Sequence, residues 1–240
     1  METDPTWPLA GAEERLPNQV AEVASAIRGE GPQLTTQTTM PGVIALIYIV
    51  RTSRNLDAIA HLCRHGFAAE GAGIVRAIAE DAVALAYLAD DPDVRAETWT
   101  KFAEDRLARN AQVGGPPGGP NWWSGMGPTS MAGKLRGQHR QIGDEFSRLY
   151  WRLCDDAHFS PVSARHYMAF PGEMRTAPTL LTGPSSYRIA EVCSLACAGA
   201  TRVCAVAAEL GVQLDLARIE ELAIVAAGPY HAAKTKVGDQ

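Results

Sequence analysis

Apolar residues recur at helical spacing along most of this chain, and sustained alternation of apolar and polar positions is almost absent. The clearest block begins PGVIALIYIVRTSRNLDAIAHL at Pro41 and continues through AEGAGIVRAIAEDAVALAYLA to Ala89. It predicts two long helices with a break near Gly66. Thr39 or Met40 precedes Pro41, a residue suited to a first helical turn. The second helix is expected from about Ala68 to Ala89, closed by Asp90-Asp91 before Pro92.

The same periodicity predicts helices over Glu13–Arg28, Val94–Val113 and Gln138–Ala157, and from a cap at Ser185 or Ser186 to Leu210. In the 94–113 helix Trp99, Phe102 and Leu107 supply apolar contacts. In the 138–157 helix Ile142, Phe146, Leu149, Trp151 and Leu153 form the buried side. Thr129 or Ser130 caps a short turn through Leu135. A last helix is expected over Asp215–Ala227, stopped by Gly228-Pro229, with a frayed tail from Lys234. Residues 1–12 read as an arm and 166–184 as loop. Glycine and proline dominate 114–128, which excludes regular structure there, and Trp122 and Trp123 interrupt it. Neither half of the chain has a convincing core of its own. The expected fold is therefore all-α: one multi-helix bundle of six to eight helices spanning 1–240, with an internal Gly/Pro/Trp-rich loop.

Composition narrows the function. The formal charge is -5 and the pI about 5.7, which argues against a dedicated nucleic-acid binder with a basic footprint. Five cysteines at scattered, apolar positions do not form a disulfide framework. The amino terminus has no basic region followed by an apolar run. The apolar stretch 189–208 contains Glu191 and Arg202, which favours a buried core helix over a membrane span. These features predict a cytoplasmic protein with no membrane association.

Charges within apolar helices are the candidates for chemistry. Arg76 and Glu80 are spaced to pair on one helical face, with Asp81 beside them. They form either a structural ion pair or the polar part of a ligand pocket. Tyr150, Cys154, Asp155 and His158 gather near one helix end. Cys154 and His158 have the spacing of half a zinc site, but no second pair completes it, so no metal and no cofactor is expected. GGPPGG lacks the context of a phosphate loop, and no Glu-x-x-His pairs suggest a di-iron bundle. Trp122 and Trp123 are expected to fold back as the cover of a pocket near Arg76, Glu80 and His158.

Two resemblances follow. Ribonucleases of the HEPN superfamily carry an arginine and, a short distance later, a histidine in a dimer cleft. The segments Arg54–His61 and Arg152–His158 resemble that pattern, which implies a histidine proton donor and an arginine opposite a phosphate. The wider layout resembles the DUF5677 family over roughly 45–165. The helix with His61 and Gly66, the segment RAIAEDAVALAYLADDP, the helix WTKFAEDRLARN, and Tyr150 followed by Asp155, His158, Ser160 and Pro161 carry it. That family implies a helical fold and no established reaction. The expectation is a small-molecule or protein-interaction module, with a HEPN-like ribonuclease or toxin-like enzyme as the alternative and RNA a partner only in that case. Whether the protein is an enzyme stays open. A homodimer is expected, because the apolar helices and paired tryptophans offer more apolar surface than a monomer needs.

Overall fold

The computed structural model describes residues 12–29, 39–111, 122–157, 168–169, 179–180 and 188–237. Its helices are α1 (Ala12–Arg28), α2 (Met40–Arg64), α3 (Ala68–Ala89), α4 (Pro92–Ala111), α5 (Pro128–Ala132), α6 (Arg140–Ala157), α7 (Ile189–Glu209) and α8 (Leu216–Val237). A single 3₁₀ turn, Gly137–His139, leads into α6. The two short strands among the described residues, Met168–Ala169 and Thr179–Leu180, pair antiparallel inside the stretch read as loop. The architecture is an all-α multi-helix bundle.

Local chemistry explains several helix ends. Thr39 is the N-cap of α2, and its side chain accepts a hydrogen bond from the Gly42 backbone at 3.4 Å. At the other end Gly66 takes a φ of 79°, open to glycine because it has no Cβ. Phe67 N–H then reaches the Leu62 carbonyl at 2.8 Å and Gly66 N–H the Cys63 carbonyl at 3.1 Å. This pair of bonds is a Schellman closure, and it turns α2 directly into α3. Gly211, with a φ of 90°, closes α7 in the same way.

α3 lies at the centre. It packs against α2, α6 and α7, while α1 and α8 cover the far sides of α2 and α7. Every residue from Asp81 to Ala86 is buried, so this part of α3 has no solvent face. α7 is the one helix among the described residues long and apolar enough to cross a membrane. In the bundle it buries Ile189, Val192, Cys193, Ala196, Val203 and Cys204 against its neighbours, as expected of a core helix. Small residues set its distance from α3. A Cβ on Gly199 would stand 2.9 Å from Ile78 Cγ2, and one on Gly71 3.4 Å from Val192.

The structure corrects five expectations. Thr129 and Ser130 do not cap the short turn but lie inside α5, whose N-cap is Gly127 with Pro128 in its first turn. α8 runs through Gly228-Pro229 to Val237; an internal proline removes one backbone donor and strains the turn but does not always end a helix. Leu107 is 70% exposed, because α4 lies across α2 and α3 while its later turns extend away from the core. Trp151 is 73% exposed and meets Tyr150 in an edge-on ring contact, with centroids 5.5 Å apart. The N-cap of α7 is Arg188, in left-handed conformation at a φ of 67° with no side-chain cap, and its Nε donates to Glu191 at 2.6 Å. Ser185 and Ser186, the arm 1–11, residues 114–121 and His158 lie outside the described residues.

The seat of α6 on α5 gives a direct test. A Cβ on Gly143 would sit 2.4 Å from the Ala132 carbonyl oxygen, a backbone atom with no rotamer to change. Gly143→Ala is expected to destabilise by roughly 1–3 kcal/mol through overpacking. Gly133→Ala serves as control, since its φ is -66° and its nearest neighbour would be 3.6 Å away. Thermal denaturation followed by circular dichroism should separate the two variants clearly.

Candidate functional site

The largely apolar groove among the described residues lies where α6 and α7 flank α3 without packing closely on each other. Its volume is about 480 Å³. Val75, Ala79 and Ala82 of α3 lie one or two turns apart and form its floor. Ile142, Phe146, Leu149 and Leu153 give the α6 wall, and Leu195, Ala198 and Gly199 the α7 wall. The helical repeat that brings those α6 residues to one side also brings Glu145, Arg148 and Arg152 to the rim, opposite Arg202. Two ion pairs span the gap between the walls. Arg202 reaches Glu145, and Arg152 reaches Glu191. Arg202 also donates to the Ala198 carbonyl at 2.6 Å.

Beside the groove, α3 and α6 bring together three of the sequence candidates. Arg76 Nε donates to Glu80 Oε1 at 2.8 Å, and its guanidinium stands 5.4 Å from the Tyr150 ring centroid. Phe146 stacks on the same ring, with centroids 4.9 Å apart. Tyr150 also bonds the Cys154 thiol, and burial first, then that bond, raises its pKa. For Arg76, burial opposes the charge, but Glu80 outweighs it and raises the pKa. This cluster holds a cation against an aromatic ring and a carboxylate. It presents no metal geometry: among the described residues no group of three His, Cys, Asp or Glu side chains can hold an ion. Asp155 lies half-buried further along α6. Arg152 turns towards α7, and its sequence partner His158 is outside the described residues.

The tryptophans are elsewhere. Trp123 is buried against Tyr87, with ring centroids 5.8 Å apart. Tyr87 lies eleven positions beyond Arg76, about 16 Å along α3. Trp123 thus stands in a cluster separate from that of Arg76 and Glu80, near the C-terminal end of α3, and not in one pocket with them. Trp122 packs half-buried at the edge of the core. Tyr48 of α2 lies in the Trp123 cluster, and its hydroxyl is pushed up to about 12, chiefly by burial and next by Asp81. Trp123 and, less, Trp99 bias that hydroxyl the other way, although Trp123 Nε1 completes no hydrogen bond among the described residues.

Asp81 is the most exceptional group of this region. Its side chain is 3% exposed, and Arg51 Nη1 meets one carboxylate oxygen at 3.1 Å. The other oxygen is buried without a hydrogen-bond partner among the described residues. Arg51 is 54% exposed, so water weakens its attraction. Burial pushes the carboxyl up to about 7, with Arg51 opposing and Glu80 adding.

A second titrating centre escaped sequence reasoning. His139 is buried between two carboxylates, with Nδ1 2.7 Å from Asp90 Oδ1 and Nε2 3.0 Å from Glu209 Oε2. Ionised carboxylates only accept, so both contacts are satisfied by the doubly protonated ring. Burial opposes that charge, but the bonds to Asp90 and Glu209 outweigh it and the pKa is raised. The clamp ties the ends of α3 and α7 to the start of α6. Its partners are 49 and 70 positions away, so no local spacing could reveal it.

On α2, Arg54 and His61 are both exposed, and His61 stacks on His65 with centroids 4.6 Å apart. Arg54 borders a shallow depression with Arg28 and Asp57.

Comparison with known proteins adds one finding. Residues 42–113 match DUF5677, a family of unknown function. The match spans α2, α3 and α4 and contains Arg54, His61, Arg76, Glu80 and Asp81, so the chain is DUF5677-like over that part. Tyr150 and the motif after it fall outside the match. No curated protein and no solved structure matches the chain.

The two titrating centres predict a pH profile. A carboxyl whose folded value is about 7 against an ordinary 3.8 keeps a proton that the unfolded chain releases. Asp81 therefore makes stability fall as pH rises from about 4 to about 7, with no further loss above. His139 works at higher pH: its stabilisation is full below the ordinary value of 6.5 and is lost as pH rises through the raised folded value. Asp81→Asn is expected to flatten the lower part of the melting-temperature profile and to raise the melting temperature at pH 8. His139→Gln should remove only the upper part. Melting curves at half-unit pH steps check both.

Proposed function

We propose that this chain is a small-molecule-binding module and that the groove over α3 is its site. The observation carrying this reading is a gap in the bundle floored by Val75, Ala79 and Ala82, walled by α6 and α7, and rimmed by a few charged groups. An apolar cleft with few polar groups is the usual form of a ligand site. The Arg76–Glu80–Tyr150 cluster supports it from behind by fixing α6 on α3. Nothing in this reading requires catalysis. The neutral fluorophore Nile red is expected to bind with a blue-shifted, saturable emission. Ala79→Phe, at a half-buried position of the floor, should abolish that signal while leaving the helical circular dichroism unchanged. Equal binding by both forms would reject the groove as the site.

One observation favours a second reading. Met40, Ile47, Arg54 and His61 follow one another at seven-residue steps along α2, and all are exposed. Such a stripe suits a homodimer in which two Arg–His pairs face a common cleft, the arrangement a HEPN-like ribonuclease needs. Under this reading purified protein is dimeric by light scattering and cleaves RNA, and His61→Ala removes the cleavage. A monomer without cleavage discards it.

A further inference from the structure

Resting on the groove as a ligand site, we infer that its ligand is an elongated apolar chain ending in a single carboxylate. The length comes from the lining. The α6 residues facing the groove run from Ile142 to Leu153, eleven positions, or about 16 Å of helix. Beside Val75 of the floor and Leu195 of the α7 wall stand Ala79, Ala82, Ala198 and Gly199, whose small side chains leave a trough. A narrow apolar trough of that length suits an unbranched chain better than a broad ring system.

The charge comes from the rim. One carboxylate, Glu145, faces three guanidiniums, those of Arg148, Arg152 and Arg202. Arg202 is engaged by Glu145 and by the Ala198 carbonyl, and Arg152 by Glu191. These two pairs close the trough at its ends. Arg148 lies between them, and its side chain bonds only the Asp144 carbonyl of its own helix, at 3.3 Å, among the described residues. It has no carboxylate partner there, although the chain as a whole carries a formal charge of -5. A guanidinium over an apolar trough recognises a carboxylate through two parallel N–H donors. One unmatched arginine neutralises one charge, which favours a monoanion over a phosphate dianion. The acyl chain replaces water along Leu149, Phe146 and Ala82, and the carboxylate stays at the rim, where its solvation is only partly lost.

The test is displacement of Nile red from the intact protein by three molecules of equal chain length: decanoate, decanol and decylamine. Decanoate is expected to displace the dye at concentrations about ten-fold below decylamine, the effect of one charge-assisted contact. Decanol should fall between them. Arg148 is exposed, so Arg148→Gln leaves the fold intact, and it should bring decanoate and decanol to equal potency while dye binding persists. If decanoate and decylamine displace equally, or if Arg148→Gln leaves the preference unchanged, the carboxylate assignment is overturned and the groove stands. Absence of saturable dye binding to the unmodified protein overturns the groove reading itself and this inference with it.

Discussion

The close approach of α3 and α7 is the constraint on which the bundle depends. Gly199 admits Ile78, whose Cγ2 would stand only 2.9 Å from an added Cβ, while Gly71 meets Val192 at ordinary contact distance. Alanines on both helices extend that contact, so α3 loses its solvent face over the stretch from Asp81 to Ala86. Dense interiors of this kind transmit small changes in side-chain volume to their neighbours. The arrangement also has an electrostatic cost, because a carboxylate on the sealed stretch cannot reach water.

That cost explains how the polar groups are distributed. Among the described residues Asp81 has one exposed arginine as partner and one oxygen without a hydrogen bond. Arg76 and Glu80, on the same helix but on its α6 side, satisfy each other and stack on Tyr150. α6 is held on α3 by this cluster and by Gly143 against α5, and it is joined to α7 by ion pairs rather than by packed side chains. The groove is the space that remains between two walls set independently. Its shape follows from α3 being fully used on one side and only partly covered on the other.

Much of this was legible in the sequence, and the reasons differ by element. Helical periodicity located α1 to α4, α6 and α7, because each has a wide apolar face. Thr39 and Gly66 marked ends through their own chemistry. The pairing of Arg76 with Glu80 followed from spacing within one helix. The partnership with Tyr150 needed the α3–α6 packing, and the groove needed the absence of close α6–α7 packing, neither of which is local information. Trp151 is apolar and close to the buried face of α6, yet one position round the helix decides exposure where packing uses a single face. His139 gave no signal at all, since an isolated histidine acquires its meaning from Asp90 and Glu209.

The Schellman closure at Gly66 has a consequence for how the chain reaches this state. It joins α2 and α3 with almost no connecting chain, so their mutual contacts lie close in sequence and loop closure costs little entropy. The α3–α7 crossing joins residues far apart along the chain, Gly71 with Val192 and Ile78 with Gly199. A hairpin of α2 and α3 is thus suited to form early, while its small-residue surface still faces solvent. α7 then arrives as the late partner, and its docking on α3 is the step that commits the chain to its topology.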